Sequence, residues 1–111
     1  MILGFIGCGK ISLSVITGIL SSSLKIKKIF VSKRNSKISS YLRKKNKKII
    51  VTKENQEIIN KSNWIFLAVT PSVGEKIIKE LKFKPNQKII SFISTITIPK
   101  LKRMIKVKAD I

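Results

Sequence analysis

Short apolar runs alternate along the chain with segments in which apolar residues recur every three or four positions. The first pattern is typical of buried β-strands and the second of amphipathic helices. The apolar runs predict strands over residues 2–6, 27–32, 48–52, 63–69 and 88–93, with the start of a sixth at 107–111. The helical spacing predicts helices over residues 10–24, 36–45, 54–62, 73–81 and 98–105.

The alternation of strands and helices predicts a single α/β domain spanning residues 1–111. Its sheet is expected to be doubly wound and mostly parallel, with helices on both faces. Sheets of this kind bind ligands at the carboxyl ends of their strands, where the strand order reverses. Candidate functional residues are therefore expected in the turns that follow the strands.

The chain is strongly basic, with 24 lysines and arginines against 5 acidic residues and a formal net charge of +19. Such a charge is expected of proteins that bind nucleic acids or anionic membranes. The lysines, however, are spread over the whole chain, aromatic residues do not interleave with them, and only Arg34, Arg43 and Arg103 are arginines. The pattern favours a lysine-rich composition, and a basic module that binds nucleic acid stays as the alternative.

Residue types that are scarce or missing narrow the chemistry further. Cys8 is the single cysteine, so no disulfide forms within the chain, which fits the reducing cytoplasm. No apolar run reaches the length of a membrane span, and the first residues lack the basic segment of a signal peptide. Histidine is absent, so no imidazole can act as a base or a metal ligand. We therefore expect no membrane association, and we assign no metal site and no catalytic acid–base residue to this chain.

The first predicted strand runs into Gly7-Cys8-Gly9, directly before the first predicted helix. In dinucleotide-binding folds the first glycine of such a turn allows a tight bend, and the second lets a pyrophosphate approach the backbone at the helix N-terminus. The third small position of that pattern is Ser12, which still permits close packing of helix on strand. A turn that needs glycine only for its backbone dihedrals is the alternative. The order strand, turn, helix, strand favours the dinucleotide site.

The end of the second strand bears on the choice between NAD and NADP. It carries Ser32-Lys33-Arg34-Asn35 and no acidic residue. An NAD-binding chain usually has Asp or Glu there to hold the ribose 2′-hydroxyl. Cations and small hydrogen-bonding side chains instead suit a 2′-phosphate, which a guanidinium can bind through two hydrogen bonds. The sequence therefore predicts NADP, as NADPH, for the cofactor.

Five segments, taken in order, resemble the N-terminal domain of pyrroline-5-carboxylate reductases. They are GFIGCGKIS (4–12), VSKRN (31–35), NQEII (55–59), SNWIFLAVTP (62–71) and KIISFIST (88–95). The resemblance implies a Rossmann-type domain that binds NADPH in an NADP-dependent oxidoreductase, which transfers a hydride to a cyclic imine in proline biosynthesis. It also implies that a helical domain for dimerisation and substrate binding is absent from this chain.

The resemblance further implies roles for individual residues. Asn55 would lie near the adenine ribose, and Ser94 and Thr95 would come near the nicotinamide end. The remaining residues are Gly7, Cys8, Gly9, Lys10 and Ile11 for the pyrophosphate turn, Ser32, Arg34 and Asn35 for the 2′-phosphate, and Ala68, Val69 and Pro71 for the crevice after the fourth strand.

The chain departs from the family pattern at three places. Thr70 stands where the family usually has lysine or arginine, Ser94-Thr95 replaces a frequent Ala-Gly, and Ser12 replaces alanine or glycine. These differences point to a divergent branch with another imine substrate. Without the helical domain, we expect the chain to hold NADPH with little or no turnover, and to form a homo-oligomer only where that domain is present. A nucleotide-binding domain without catalysis is the remaining alternative.

Overall fold

Residues 1–33 and 36–111 are described by a computed structural model, and within them strands and helices alternate without exception. Among these described residues, no helix has the length and apolar character needed to cross a bilayer. The predicted succession of elements is confirmed. The elements are β1 (Ile2–Ile6), α1 (Lys10–Leu20), β2 (Lys28–Ser32), α2 (Ser36–Lys45), β3 (Ile49–Thr52), α3 (Asn55–Lys61), β4 (Trp64–Leu67), α4 (Pro71–Glu80), β5 (Lys88–Ser91) and α5 (Ile98–Ile105).

The five strands form one parallel sheet in the order β3-β2-β1-β4-β5. The first strand is central, and Leu3 is paired with Ile29 of β2 on one side and Trp64 of β4 on the other. The chain builds outward from β1 through β2 to β3, then crosses back to place β4 and β5 on the opposite side. The reversal lies between β1 and β4, so a ligand crevice is expected above the carboxyl ends of these two strands.

Helices cover both faces of the sheet because successive strand residues point to opposite sides. Phe5 belongs to a buried cluster that includes Ile16 of α1 and Leu42 of α2. Its neighbour Ile6 belongs to a second cluster with Ile58 of α3 and buried residues of α4 and α5. Both cores are mostly aliphatic, and together they confirm the doubly wound α/β architecture.

The helix α1 is shorter than the apolar spacing predicts, because it ends at Leu20 and not at residue 24. Two serines at the end of the helix bond carbonyls of its last turn. Ser21 donates its Oγ hydrogen to the Thr17 carbonyl at 2.9 Å, and Ser22 donates its own to the Ile19 carbonyl at 2.6 Å. Such bonds weaken a helix only slightly, and Thr17 makes the same kind of bond to the Leu13 carbonyl inside α1 at 2.7 Å without ending it.

The predicted sixth strand is present only as a single parallel bridge between Asp110 and Lys88 of β5. Asp110 donates its backbone N–H to the Gln87 carbonyl at 2.9 Å and accepts one from Ile89 at 2.7 Å. The Lys88 ammonium lies 2.6 Å from the Asp110 carboxylate. The ammonium donates a hydrogen bond to the carboxylate, and this bond together with the lysine charge holds the pKa of Asp110 below its usual range. The end of the chain is thereby attached to the edge of the sheet.

Candidate functional site

Gly7 forms the tight bend after β1. Its φ of +92° lies in the left-handed region that glycine tolerates best. A Cβ at this position would lie 2.6 Å from the Ala68 carbonyl oxygen and 2.8 Å from Cγ1 of Val69. Both backbone conformation and the close approach of the segment after β4 therefore require glycine here. Gly7 brings the ends of β1 and β4 together, which is where the crevice was expected.

Gly9 has a different character, although it stands only two residues later. It is the residue before α1 and has an extended backbone, with φ −113° and ψ −159°. A Cβ built on Gly9 would meet no atom within 4 Å. The space above its Cα is therefore open, and packing within the described residues gives no reason for glycine at this position.

Among the described residues, no hydrogen-bond partner reaches the backbone amides in the first turn of α1, directly after Gly9. Its first N–H groups have no partner within the helix, as at every helix start, and the first helical bond runs from Leu13 N–H to the Gly9 carbonyl at 3.0 Å. No acidic side chain occupies the first turn, and no side chain caps it. Free amides and the positive end of the helix dipole suit a phosphate group. The turn can therefore accept a pyrophosphate.

Ser12 has a role that the sequence pattern did not reveal. Its side chain is fully buried in the first turn of α1, and its Oγ donates a hydrogen bond to the Gly7 carbonyl at 2.8 Å. The hydroxyl thus ties the helix to the glycine turn, which an alanine or glycine at this position could not do. A small residue was predicted here for packing alone.

Replacing Ser12 with alanine is expected to destabilise the fold by about 1–2 kcal/mol, because the buried Gly7 carbonyl loses its donor. Chemical denaturation followed by circular dichroism would measure the change. Ser14→Ala provides the matched control, since Ser14 is exposed on the same helix. Equal stability of the two variants would contradict the role assigned to the Ser12 hydroxyl.

The other predicted residues of the glycine turn are placed differently from one another. Cys8 is only 3% exposed and packs into the core beneath α1 and α2, and this burial raises the pKa of its thiol. Only its backbone can therefore face a ligand, and the thiol is not set up as a nucleophile. Lys10 and Ile11 are exposed on the first turn of α1, where their side chains can flank a ligand in the crevice.

The end of β2 carries the residues predicted for the 2′-phosphate. Ser32 is buried, whereas Lys33 is exposed and donates its backbone N–H to the Thr52 carbonyl at 3.2 Å. Arg34 and Asn35 lie outside the residues that the structure describes, so their predicted roles stay predictions. Asn55 is half-buried at the start of α3, which follows the neighbouring strand β3.

The segment after β4 lies directly beside the glycine turn. Ala68 donates its backbone N–H to the Ile6 carbonyl at 2.9 Å, and Val69 is half-buried. Pro71 is exposed and opens α4, where its missing N–H costs little. Thr70, which differs from the family pattern, precedes it as the N-cap, and its side chain makes no capping bond.

Ser94 and Thr95 form an exposed turn after β5, closed by a hydrogen bond from the Ile96 N–H to the Ile93 carbonyl at 3.1 Å. The neighbouring Ile93 packs against Gly74 of α4. A Cβ on Gly74 would lie 2.9 Å from the Cδ1 atom of Ile93. Gly74 was not recognised in the sequence. A glycine inside a helical pattern was the available signal, because it often marks a close helix contact.

Taken together, the predicted residues within the described part of the chain lie at the carboxyl ends of the parallel strands. The turn after β1 and the segment after β4 touch, whereas Ser32 on β2 and the turn after β5 lie to either side of them. Adjacent strands are about 4.8 Å apart, so the edge from β2 to β5 spans roughly 14 Å. This arrangement suits an extended ligand that lies across the strand ends.

Two further cavities, among those formed by the described residues, lie away from the carboxyl ends of the strands. One, of about 370 Å³, is open at the amino ends of β4 and β5 and includes Trp64 and Gln87. The buried Gln87 amide donates to the Ile59 and Ser62 carbonyls at 2.8 and 3.1 Å, which is a structural role. The other, of about 320 Å³, lies beside Glu75 and Lys100. Neither contains a residue of the crevice, and the crevice is favoured for function because of its backbone geometry.

Residues 2–96 match the protein family described as NADP oxidoreductase, coenzyme F420-dependent. The chain is similar to pyrroline-5-carboxylate reductase 3 of Danio rerio, with 30% identity over 105 residues that cover 93% of this chain and 36% of that protein. The chain thus spans little more than a third of that relative's length. This match supports the resemblance to pyrroline-5-carboxylate reductases that the five sequence segments indicated.

Solved structures give the same comparison. A pyrroline carboxylate reductase of Plasmodium falciparum, solved with NADP bound, matches 93% of this chain and 37% of its own, with a TM-score of 0.70 and 26% identity. The fold is also that of a 1-pyrroline-5-carboxylate reductase from Streptococcus pyogenes, with a TM-score of 0.77, 24% identity, and coverage of 99% of this chain and 39% of that one. These similarities do not favour the nucleic-acid alternative.

Proposed function

Because this chain belongs to the family of NADP oxidoreductases described as coenzyme F420-dependent, we propose that it binds NADPH across the carboxyl ends of β1, β2, β4 and β5. The family and the similar proteins make it an NADP-binding oxidoreductase domain of the pyrroline-5-carboxylate reductase type. The cofactor, once bound, supplies a hydride. The residues of this chain bind the cofactor and fix its orientation.

The observation that carries the proposal is the contrast between Gly7 and Gly9. Gly7 is required by its positive φ and by contact with the segment after β4, whereas a Cβ on Gly9 would meet no atom of the described residues within 4 Å. A glycine that the protein's own packing does not require, directly before free helix amides, leaves room for a ligand to reach the backbone. A pyrophosphate has the charge and the acceptor oxygens for that position.

The resemblance to pyrroline-5-carboxylate reductases assigns the two ends of the cofactor. Ser32, Arg34 and Asn35 bind the 2′-phosphate beside β2, and Asn55 lies near the adenine ribose. Ser94 and Thr95 come near the nicotinamide, on the far side of β4. The strand order supports a ligand that spans these positions, because β2 and β5 lie on opposite sides of the β1–β4 crevice.

The substrate and the assembly are proposed from the longer proteins that this chain resembles. We assign a cyclic imine as the hydride acceptor, in proline biosynthesis, and a helical domain as the source of substrate binding and dimerisation. The comparisons cover 36–39% of the longer proteins, which leaves room for such a domain. On its own, the chain is expected to bind cofactor with little or no turnover. The free Cys8 thiol favours a reducing compartment such as the cytoplasm.

Isothermal calorimetry with NADPH and NADH tests the proposal. We expect tighter binding of NADPH by roughly 10-fold or more, because a guanidinium–phosphate pair adds charge-assisted hydrogen bonds. Arg34→Ala should remove most of this preference. Arg43→Ala, which changes a basic residue in the last turn of α2, serves as the control for lost charge. Absent binding, or equal affinity for the two nucleotides, would overturn the assignment.

A further inference from the structure

We propose that Lys53, at the end of β3, acts with Lys33, at the end of β2, as a pair of cations that selects the 2′-phosphate of NADP. The inference rests on the proposed function and adds a specificity-determining residue to it. The sequence motifs assign no role to Lys53. The register of two neighbouring strands brings it to the site.

The β2–β3 ladder continues one residue beyond the two strands. Within the ladder, Ile29 is paired with Ile49, and the Ile29 N–H bonds the carbonyl of Lys48, one residue before its partner. The same pattern recurs at the other end, where the Lys33 N–H bonds the Thr52 carbonyl at 3.2 Å. Lys53 is therefore the lateral partner of Lys33. Neighbouring strands are about 4.8 Å apart, so the backbones of the two lysines lie close together at the carboxyl end of the sheet.

Two like charges at lateral positions repel each other, and nothing in the described chain compensates them by direct contact. Both lysines are exposed. The ion pairs among the described residues involve three other carboxylates, those of Glu57, Glu75 and Asp110. Glu54 follows Lys53 directly and forms no ion pair with either lysine in that part of the chain. An anion between the two ammonium groups would relieve the repulsion.

The position of the pair identifies the anion. Directly before the lysines in sequence, Ser32 and Thr52 form the last pair of the β2–β3 ladder, and both are buried. Ser32 belongs to the segment assigned to the 2′-phosphate of the adenosine ribose. Asn55 starts the next helix two residues after Lys53. A phosphate on that ribose carries close to two negative charges, whereas a free 2′-hydroxyl carries none. The lysine pair therefore distinguishes NADP from NAD.

Calorimetry with adenosine 2′,5′-bisphosphate and with AMP isolates this half of the cofactor. For Lys53→Gln, we expect roughly 3- to 10-fold weaker binding of the bisphosphate and little change for AMP, since a charge-assisted contact to the 2′-phosphate is lost. Lys53→Arg should restore binding. Lys82→Gln is the control, because it removes an exposed lysine from the loop before β5.

The possible outcomes separate the inference from the proposed function. If Lys53→Gln weakens the bisphosphate no more than Lys82→Gln does, or weakens AMP equally, the inference is overturned while NADP binding stands. If the unmodified chain does not prefer the bisphosphate over AMP, the proposed function and the inference both fail. A selective loss that arginine restores supports the lysine pair.

Discussion

Replacing Gly7 with alanine is expected to destabilise the fold by about 2–4 kcal/mol, the largest effect on stability that we predict for a single substitution. The residue has a φ of +92°, which strains any side chain. Its new Cβ would also lie 2.6 Å from the Ala68 carbonyl oxygen, which belongs to backbone that the central sheet holds in place. The turn after β1 or the segment after β4 must move.

Urea denaturation followed by circular dichroism would measure the loss, with Gly9→Ala as the matched control. Gly9 has negative φ and no atom within 4 Å of its Cβ position, so alanine there should change the free energy of unfolding by less than about 1 kcal/mol. The two glycines are two residues apart, so local sequence context is nearly identical. Similar losses for both variants would show that Gly7 does not constrain the fold as described.

Replacing Gly9 with valine is expected to weaken NADPH binding by roughly 10- to 100-fold, or about 1.4–2.7 kcal/mol. The branched side chain would fill the open space in front of the first turn of α1 and keep the pyrophosphate from the helix amides. Because no atom of the described residues lies within 4 Å of the Gly9 Cβ position, the fold itself should tolerate the change far better than a substitution at Gly7.

Calorimetry with NADPH, together with a thermal melt of the same sample, separates the two effects. Gly9→Ala should give an intermediate affinity, since its methyl group fills less of the space. A Gly9→Val variant that keeps full affinity would place the pyrophosphate elsewhere. A variant that loses affinity and stability together would mean that Gly9 supports the fold, contrary to its open surroundings.

The sequence predicts the fold well because each element carries its own signal. Apolar runs and helical spacing identify all ten elements, and their alternation predicts the parallel, doubly wound sheet. Ends of elements are less predictable. The apolar spacing continues past Leu20, but the hydroxyls of Ser21 and Ser22 bond carbonyls of the last turn and α1 stops. Such local hydrogen bonds depend on rotamers, which the apolar pattern does not encode.

The candidate site is predictable where glycine marks it and hidden where contacts between distant segments create it. The turn around Gly7 and Gly9 is evident from sequence, and the structure brings it against Ala68 as the strand order requires. The bond from Ser12 to Gly7 was missed, because a serine in a helix more often bonds its own helix. Lys53 was missed because only the register of β2 on β3 places it beside Lys33.

The central position of β1 has a consequence for biosynthesis. This strand is translated before the other four strands, and its partners β2 and β4 begin only at Lys28 and Trp64. At about 5–20 residues per second, several seconds separate the synthesis of β1 from that of its second partner. During that interval one border of an apolar strand stays unpaired on the ribosome. Incomplete chains released before Trp64 would therefore expose an unpaired apolar strand that can pair with other chains, and chaperones bind surfaces of this kind.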